Sequence, residues 1–268
     1  MPGPSSVAAG AMNAGPRTGD RVLARAKLTT SLRIIGVRAD GYHLIDAEMV
    51  TLALADELTF SAVDGDGDRT HAALTVSGPY AAGVPTDDRN LIHKALRALG
   101  RQAVVHVDKQ IPAGGGLGGG SADAAATLAW LGCNDLAVAA TLGADVPFCL
   151  SRCSRARVRG IGEQVDPLPH IDTAITLIVP PLAMDTAAVY RAWDELGGPR
   201  ADRPNDLEPA AIAVDPRMAT WKQRISDAAG LPVHLAGSGA TWFVYGERSD
   251  LAAALSPATV IVTRTDRP

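Results

Sequence analysis

Residues Ile111 to Thr127 read IPAGGGLGGGSADAAAT, with six glycines in the seven positions 114–120. Glycine loses more conformational freedom on folding than any other residue, so a cluster this dense needs a purpose that side chains would obstruct. Backbone N–H groups of such a run converge on one concavity. The N-terminus of a following helix adds unpaired N–H groups and the positive end of its dipole, and the combination binds phosphate. A flexible linker accounts for the stretch less well. The chain runs from a strand through Pro112 directly into an alanine-rich helix, expected from about Ser121 to Leu131 with Ser121 as its cap.

Two common phosphate devices are excluded by the neighbouring residues. A Walker A loop needs a lysine after its last glycine, and no lysine occurs between Lys109 and Lys222. Gly114, Gly116 and Gly119 satisfy GxGxxG. The dinucleotide version, however, wants a second strand ending in an acid about 20 residues further on. Here that interval holds the rest of the helix and the polar turn GCND.

The 268 residues are 47% hydrophobic but only 4% aromatic, so the core is expected to be Ala, Val, Leu and Ile. A net charge of −4 gives no reason to expect a nucleic acid as partner. No apolar run is long enough for a membrane span, and the first 20 residues read as a disordered extension rather than a secretory signal. Cys133, Cys149 and Cys153 fit no paired spacing and read as reduced thiols. A cytoplasmic protein is the expectation.

Along the chain, a strand is expected at Val22–Leu28, then short β-rich runs punctuated by RADGYH, a surface loop at DGDGDRTH, and a strand in ALTVSG. NLIHKALRALG carries a helical stripe with Asp88 or Asn90 as N-cap, AVVHVDKQI is a strand, and DLAVAATLG is a short helix. The composition turns basic near SRCSRARVRGIGE, and a domain boundary is placed there, dividing 21–154 from 155–268. The second half reads strand (AITLIVPP), helix (TAAVYRAWDEL), helix (RMATWKQRISDAA), strand–turn–strand (VHLAGSGATWFVYG), a helix near Leu251 and a final strand, TVIVTRTD. Strands and helices mix without strict alternation, which predicts an α+β pair of domains.

At this point the motifs resemble a family. PAGGGLGGGSADAAA resembles the second motif of the GHMP kinases, ARAKLTTSL the first and LAGSGATWF the third, in the right order. RADGYH, NLI, LGADVPF, PLP, TAAVYRAWD and NDLEP narrow the resemblance to members that phosphorylate a cytidine-diphosphate-linked methylerythritol at its 2-hydroxyl. The resemblance implies an N-terminal domain like domain 2 of ribosomal protein S5 and a ferredoxin-like C-terminal domain. It implies ATP and Mg²⁺ as cofactors, a small-molecule substrate, no nucleic acid or membrane partner, and a monomer or homodimer. An acceptor of the homoserine or mevalonate type, or a nucleotide-binding protein without activity, remains the alternative.

The resemblance also implies roles. Lys27 and Asp145 match the family's catalytic pair, the aspartate accepting the hydroxyl proton and the lysine polarising the hydroxyl. Pro112, Ala113, Gly114, Gly115, Gly116, Leu117, Gly118, Gly119, Gly120 and Ser121 match the ATP loop, and Asn90 lies by the adenine pocket. Ser121 is also within reach of a phosphate or of magnesium; no residue is assigned as a metal ligand. Tyr42 and His43 match the cytidine site, with Tyr190 as a second aromatic and Thr186 as a hydroxyl for the substrate. Thr29 stands where the family has an asparagine on the substrate diphosphate, and Gly237, Ser238 and Gly239, assigned with it to the substrate site, form a turn that supports the glycine loop.

Overall fold

The computed structural model describes residues 17–62, 73–202 and 204–268. Most of the expected N-terminal extension (1–16) and the DGDGDRTH loop lie outside the described residues. The last part of the supposed extension is ordered: β1 begins at Asp20, whose carboxylate accepts from the Trp130 indole N–H at 2.9 Å.

The short runs expected around RADGYH are two long strands, β1 (Asp20–Val37) and β2 (His43–Ala62), joined by a turn at 38–42. Their register runs from Asp20–Phe60 to Val37–His43, with three irregularities that re-aim side chains. One of these, between Arg25 and Lys27, lies beside the lysine of the first motif. The strand β3 (Leu74–Ser77) pairs in parallel with β4 (Ala103–Asp108), and β4 pairs antiparallel with the C-terminal half of β2. Between them runs α1 (Leu91–Ala98), which buries Ile92, Ala95 and Leu96.

Three helices follow in sequence: α2 (Gly119–Trp130), α3 (Leu136–Leu142) and α4 (Val146–Ser151). The helix α2 is alanine-rich and buries most of its length, which lets it lie close to β1 and α4. Its start differs from expectation. Gly118, in the left-handed conformation, is the N-cap and no side chain caps it; Ser121 lies inside the first turn. A capping oxygen would compete with an incoming anion for those N–H groups, and the glycine leaves them open.

The strands β5 (Arg155–Gly160) and β6 (Gln164–Pro167) extend the first sheet from β2, in the order β3-β4-β2-β5-β6, with β1 on the other side of β2. The first sheet therefore continues past the boundary expected at 154/155, because β5 completes the hydrogen bonding of β2 from Ile45 to Val50. The second sheet, entirely antiparallel, has the order β10-β7-β9-β8. Its strands are β7 (Ala174–Val179), β8 (His234–Leu235), β9 (Trp242–Tyr245) and β10 (Thr259–Arg264). The helices α5 (Thr186–Glu195), α6 (Glu208–Val214), α7 (Arg217–Ala229) and α8 (Leu251–Ala254) complete this half.

The α+β architecture holds, and the two halves share one core. A single buried cluster takes Leu32, Ile34, Ile45 and Met49 from the first sheet and Ile178, Trp242 and Val244 from the second, together with Met218, Trp221 and Ile225 of α7. Beneath the glycine loop a second cluster packs Ile111 and Leu117 against Ala26 and Leu28 of β1, Leu177 of β7, and Ala236 and Phe243 of the third motif.

Candidate active site

The glycine loop is held by backbone contacts that only small residues allow. Leu117, the one side chain within the run, is 1% exposed and anchors the loop in the core, while its carbonyl accepts from Lys27 N at 3.0 Å. The loop lies back to back against the 237–239 turn. A Cβ on Gly239 would stand 2.6 Å from the Gly115 carbonyl oxygen, and one on Gly116 would stand 3.0 Å from Gly239 Cα. Asn205, from NDLEP, ties that turn down by donating to the carbonyls of Leu235 (3.0 Å) and Gly237 (2.7 Å). The motifs separated in sequence thus form one wall.

Two cavities open on this wall. The smaller, about 250 Å³, is lined by the whole run from Pro112 to Gly120 together with Asn90, Lys109 and Asp123. Asn90 uses both ends of its amide: its oxygen caps α1 by accepting from Ile92 N at 2.9 Å, and its nitrogen donates to Pro85 O at 2.7 Å. The larger, about 710 Å³, contains Lys27, Thr29, Tyr42, His43, Asp145, Thr186, Tyr190, Gly237 and Ser238. Gly116 borders both, and Ser121 borders the larger. Gly239 lies behind the loop, as its packing on Gly115 requires.

Lys27 and Asp145 meet where the loop faces the larger cavity. Lys27 Nζ is 3.1 Å from Asp145 Oδ2 and 3.2 Å from Thr29 Oγ1, which accepts from it. The lysine stem packs on the loop, since a Cβ on Gly118 would stand 2.7 Å from Lys27 Cγ. Asp145 occupies the N-cap position of α4 without capping it. Its carboxylate is spared for Lys27 and the cavity.

At the far side of the larger cavity, the imidazole of His43 lies 4.8 Å from the Tyr190 ring and 5.5 Å from that of Trp193. Its Nε2 donates to Asp194 Oδ1 at 2.8 Å. This contact fixes the ring's tautomer and plane. Tyr42 is 60% exposed at the cavity mouth, with the Arg38 guanidinium over its ring. Burial raises the Tyr190 hydroxyl above its ordinary range, with the Asp145 charge adding to it. Thr186, at the start of α5, and Ser238, in the third motif, share a hydrogen bond of 3.0 Å.

Sequence reasoning missed four groups. Asp194 orients His43, and its signal was an acid one helical turn after Tyr190. The other three are Asp56, Lys109 and Asp123, whose charges meet behind the glycine loop. An aspartate flanked by Ala122, Ala124 and Ala125, all buried, was the signal there. The cysteines are free thiols, and burial pushes Cys149 up to about 12.

Among the described residues no group of three or more His, Cys, Asp or Glu side chains is gathered to hold a metal ion, and no helix is long and apolar enough to cross a membrane. Residues 90–151 match the N-terminal domain of the GHMP kinases. The chain is 36% identical over 243 residues to the 4-diphosphocytidyl-2-C-methyl-D-erythritol kinase of Paracoccus denitrificans, covering 83% of this chain and 85% of that one. A crystal structure of 4-(cytidine 5'-diphospho)-2C-methyl-D-erythritol kinase superposes with a TM-score of 0.71 at 30% identity, over 92% of this chain and 100% of that one. Mevalonate kinase of L. major shares the fold, with a TM-score of 0.62 at 12% identity over 94% of this chain and 98% of that one.

Proposed function

Because the chain belongs to the 4-diphosphocytidyl-2-C-methyl-D-erythritol kinases, within the GHMP kinases, we propose that it transfers the γ-phosphoryl of ATP to the 2-hydroxyl of 4-diphosphocytidyl-2-C-methyl-D-erythritol. This is a step of the non-mevalonate route to isoprenoid precursors. The observation that carries the residue assignment is the Lys27–Asp145 contact of 3.1 Å, reaching from the glycine loop into the larger cavity.

Phosphoryl transfer asks little covalent chemistry of a protein; it asks for positioning and charge compensation. The open N–H groups of the loop and of α2 bind the ATP phosphates in the smaller cavity, and Asn90 borders the adenine end. The acceptor occupies the larger cavity. Asp145 accepts the proton of the attacking hydroxyl, and Lys27 polarises that hydroxyl and balances the added negative charge. The cytosine ring lies between Tyr42 and Tyr190, with His43, oriented by Asp194, at its edge. Thr29, Thr186 and Ser238 supply hydroxyl groups along the cavity wall.

Mg²⁺ enters as the partner of ATP. The Ser121 hydroxyl, at the border of the larger cavity beside the loop, is the side chain that would ligate the ion. When bound, the ion neutralises charge on the phosphates.

A coupled assay of ADP release tests the reading. Turnover is expected with the cytidine substrate and not with mevalonate or homoserine. Release that is independent of the cytidine substrate, or faster with either other alcohol, would overturn it.

A further inference from the structure

A second lysine–carboxylate group lies under the same loop and has no part in the chemistry above. Lys109, just past β4, ion-pairs with Asp56 of β2, and its Nζ is 2.7 Å from Asp123 Oδ2 in α2. All three side chains are at most 4% exposed. Asp56 Oδ1 accepts from the backbone N–H groups of Gln110 at 2.6 Å and Ile111 at 2.8 Å, the residues that lead into the loop. On the other side, Asp123 belongs to the helix that the loop feeds. Lys109 Nζ lies 3.3 Å from the point where a Cβ on Gly119 would stand.

Stability alone does not explain such a group. Three charges withdrawn from water are, as a rule, no more stabilising than apolar residues of the same volume. Asp123 Oδ1 is also buried without a hydrogen-bond partner, at a residue that borders the smaller cavity. What the arrangement does achieve is geometric. Asp56 holds the entry to the loop, Asp123 holds its exit, and Lys109 bonds both. Between those points the loop is almost all glycine and has few side chains with which to hold itself.

We propose that Asp56, Lys109 and Asp123 are positioning residues that fix the two ends of the glycine loop, so that its N–H groups are aimed at nucleotide phosphates before the nucleotide arrives. This rests on the reading that the loop binds ATP. The ordering cost of six glycines is then met in the free protein rather than on binding. The triad acts on phosphate binding, leaves recognition of the adenine base to other residues, and takes no part in proton transfer.

The test compares ADP and adenosine binding by calorimetry, with steady-state kinetics, for Lys109→Met, Asp123→Ala and Asp123→Asn. Asp123→Ala leaves the Lys109–Asp56 pair neutral and intact, so it remains informative if Lys109→Met does not fold. Lys109→Met and Asp123→Ala are expected to weaken ADP about tenfold or more, the loss of roughly one good polar contact, with adenosine changed less than about twofold. In both, the ATP KM rises while kcat stays within about threefold. Asp123→Asn keeps an acceptor for Lys109 and stays within about threefold of the wild type in ADP affinity. Unchanged ADP affinity in Asp123→Ala would overturn the proposal. So would an equal loss for adenosine, which would make these residues base ligands. A wild-type protein that binds no ADP would instead remove the kinase reading itself.

Discussion

Two lysines reach the same loop one residue apart, Lys27 packing on Gly118 and Lys109 against Gly119, and their surroundings differ in every respect. Lys27 meets one carboxylate, that of Asp145, which is 30% exposed to the larger cavity. Lys109 meets two, both sealed from solvent, behind the loop at the border of the smaller cavity. A reacting proton needs a carboxylate that a substrate can touch, and a structural clamp needs one that water cannot. The same residue types at the same loop therefore take different work according to exposure and partner count.

That difference predicts unequal costs when either pair is broken. Lys109→Met leaves two buried carboxylates without a counter-charge and is expected to cost about 3–5 kcal/mol of stability, read as a shift in the urea midpoint. A loss below about 1 kcal/mol would place Lys109 among ordinary surface ion pairs.

The next effect is in pH. Burial, opposed by Lys109 and reinforced by Asp56, raises the Asp123 carboxyl from 3.8 to about 7. Burial works against the ammonium of Lys109 too, but the charges of Asp123 and Asp56 outweigh it and hold Lys109 above its ordinary value. A raised carboxyl means that the folded state binds a proton more tightly than the unfolded chain. Its contribution to stability is complete below the unfolded value and is lost as pH rises through about 7. Urea midpoints should therefore fall between pH 5.5 and pH 8 in the wild type, and fall less in Asp123→Asn. Equal slopes in the two proteins would contradict the placement of the titration at Asp123.

The smallest change is expected from Lys27→Met. Asp145 retains water, so stability should move by about 1 kcal/mol or less, whatever happens to activity. A loss as large as that of Lys109→Met would erase the distinction.

The loop was readable because its device is local: glycines, a following helix, and the missing lysine and acid all lie within one stretch. Lys27, His43 and Asp145 each sit in a separate motif, and the fold brings these motifs to one cavity. Ser121 was misread as a cap since serine is the usual capping residue, whereas the open N-terminus here calls for Gly118. The boundary at 154/155 followed a change in composition, but the sheet follows hydrogen bonding, and β5 completes β2. Asp56, in β2, and Lys109, just past β4, lie 53 residues apart, each unremarkable in its own stretch, and no local pattern announces that they meet. Asp194 was hidden in the same way, because its partner His43 is 151 residues away.

The measurement that bears most directly on the division of labour is kcat at saturation of both ATP and the cytidine substrate, for Asp145→Asn beside Lys109→Met. Asp145→Asn should lower kcat by roughly 10²–10⁴, while Lys109→Met, saturated with ATP, should stay within about threefold of the wild type. A kcat preserved in Asp145→Asn, or lost equally in both proteins, would contradict the account.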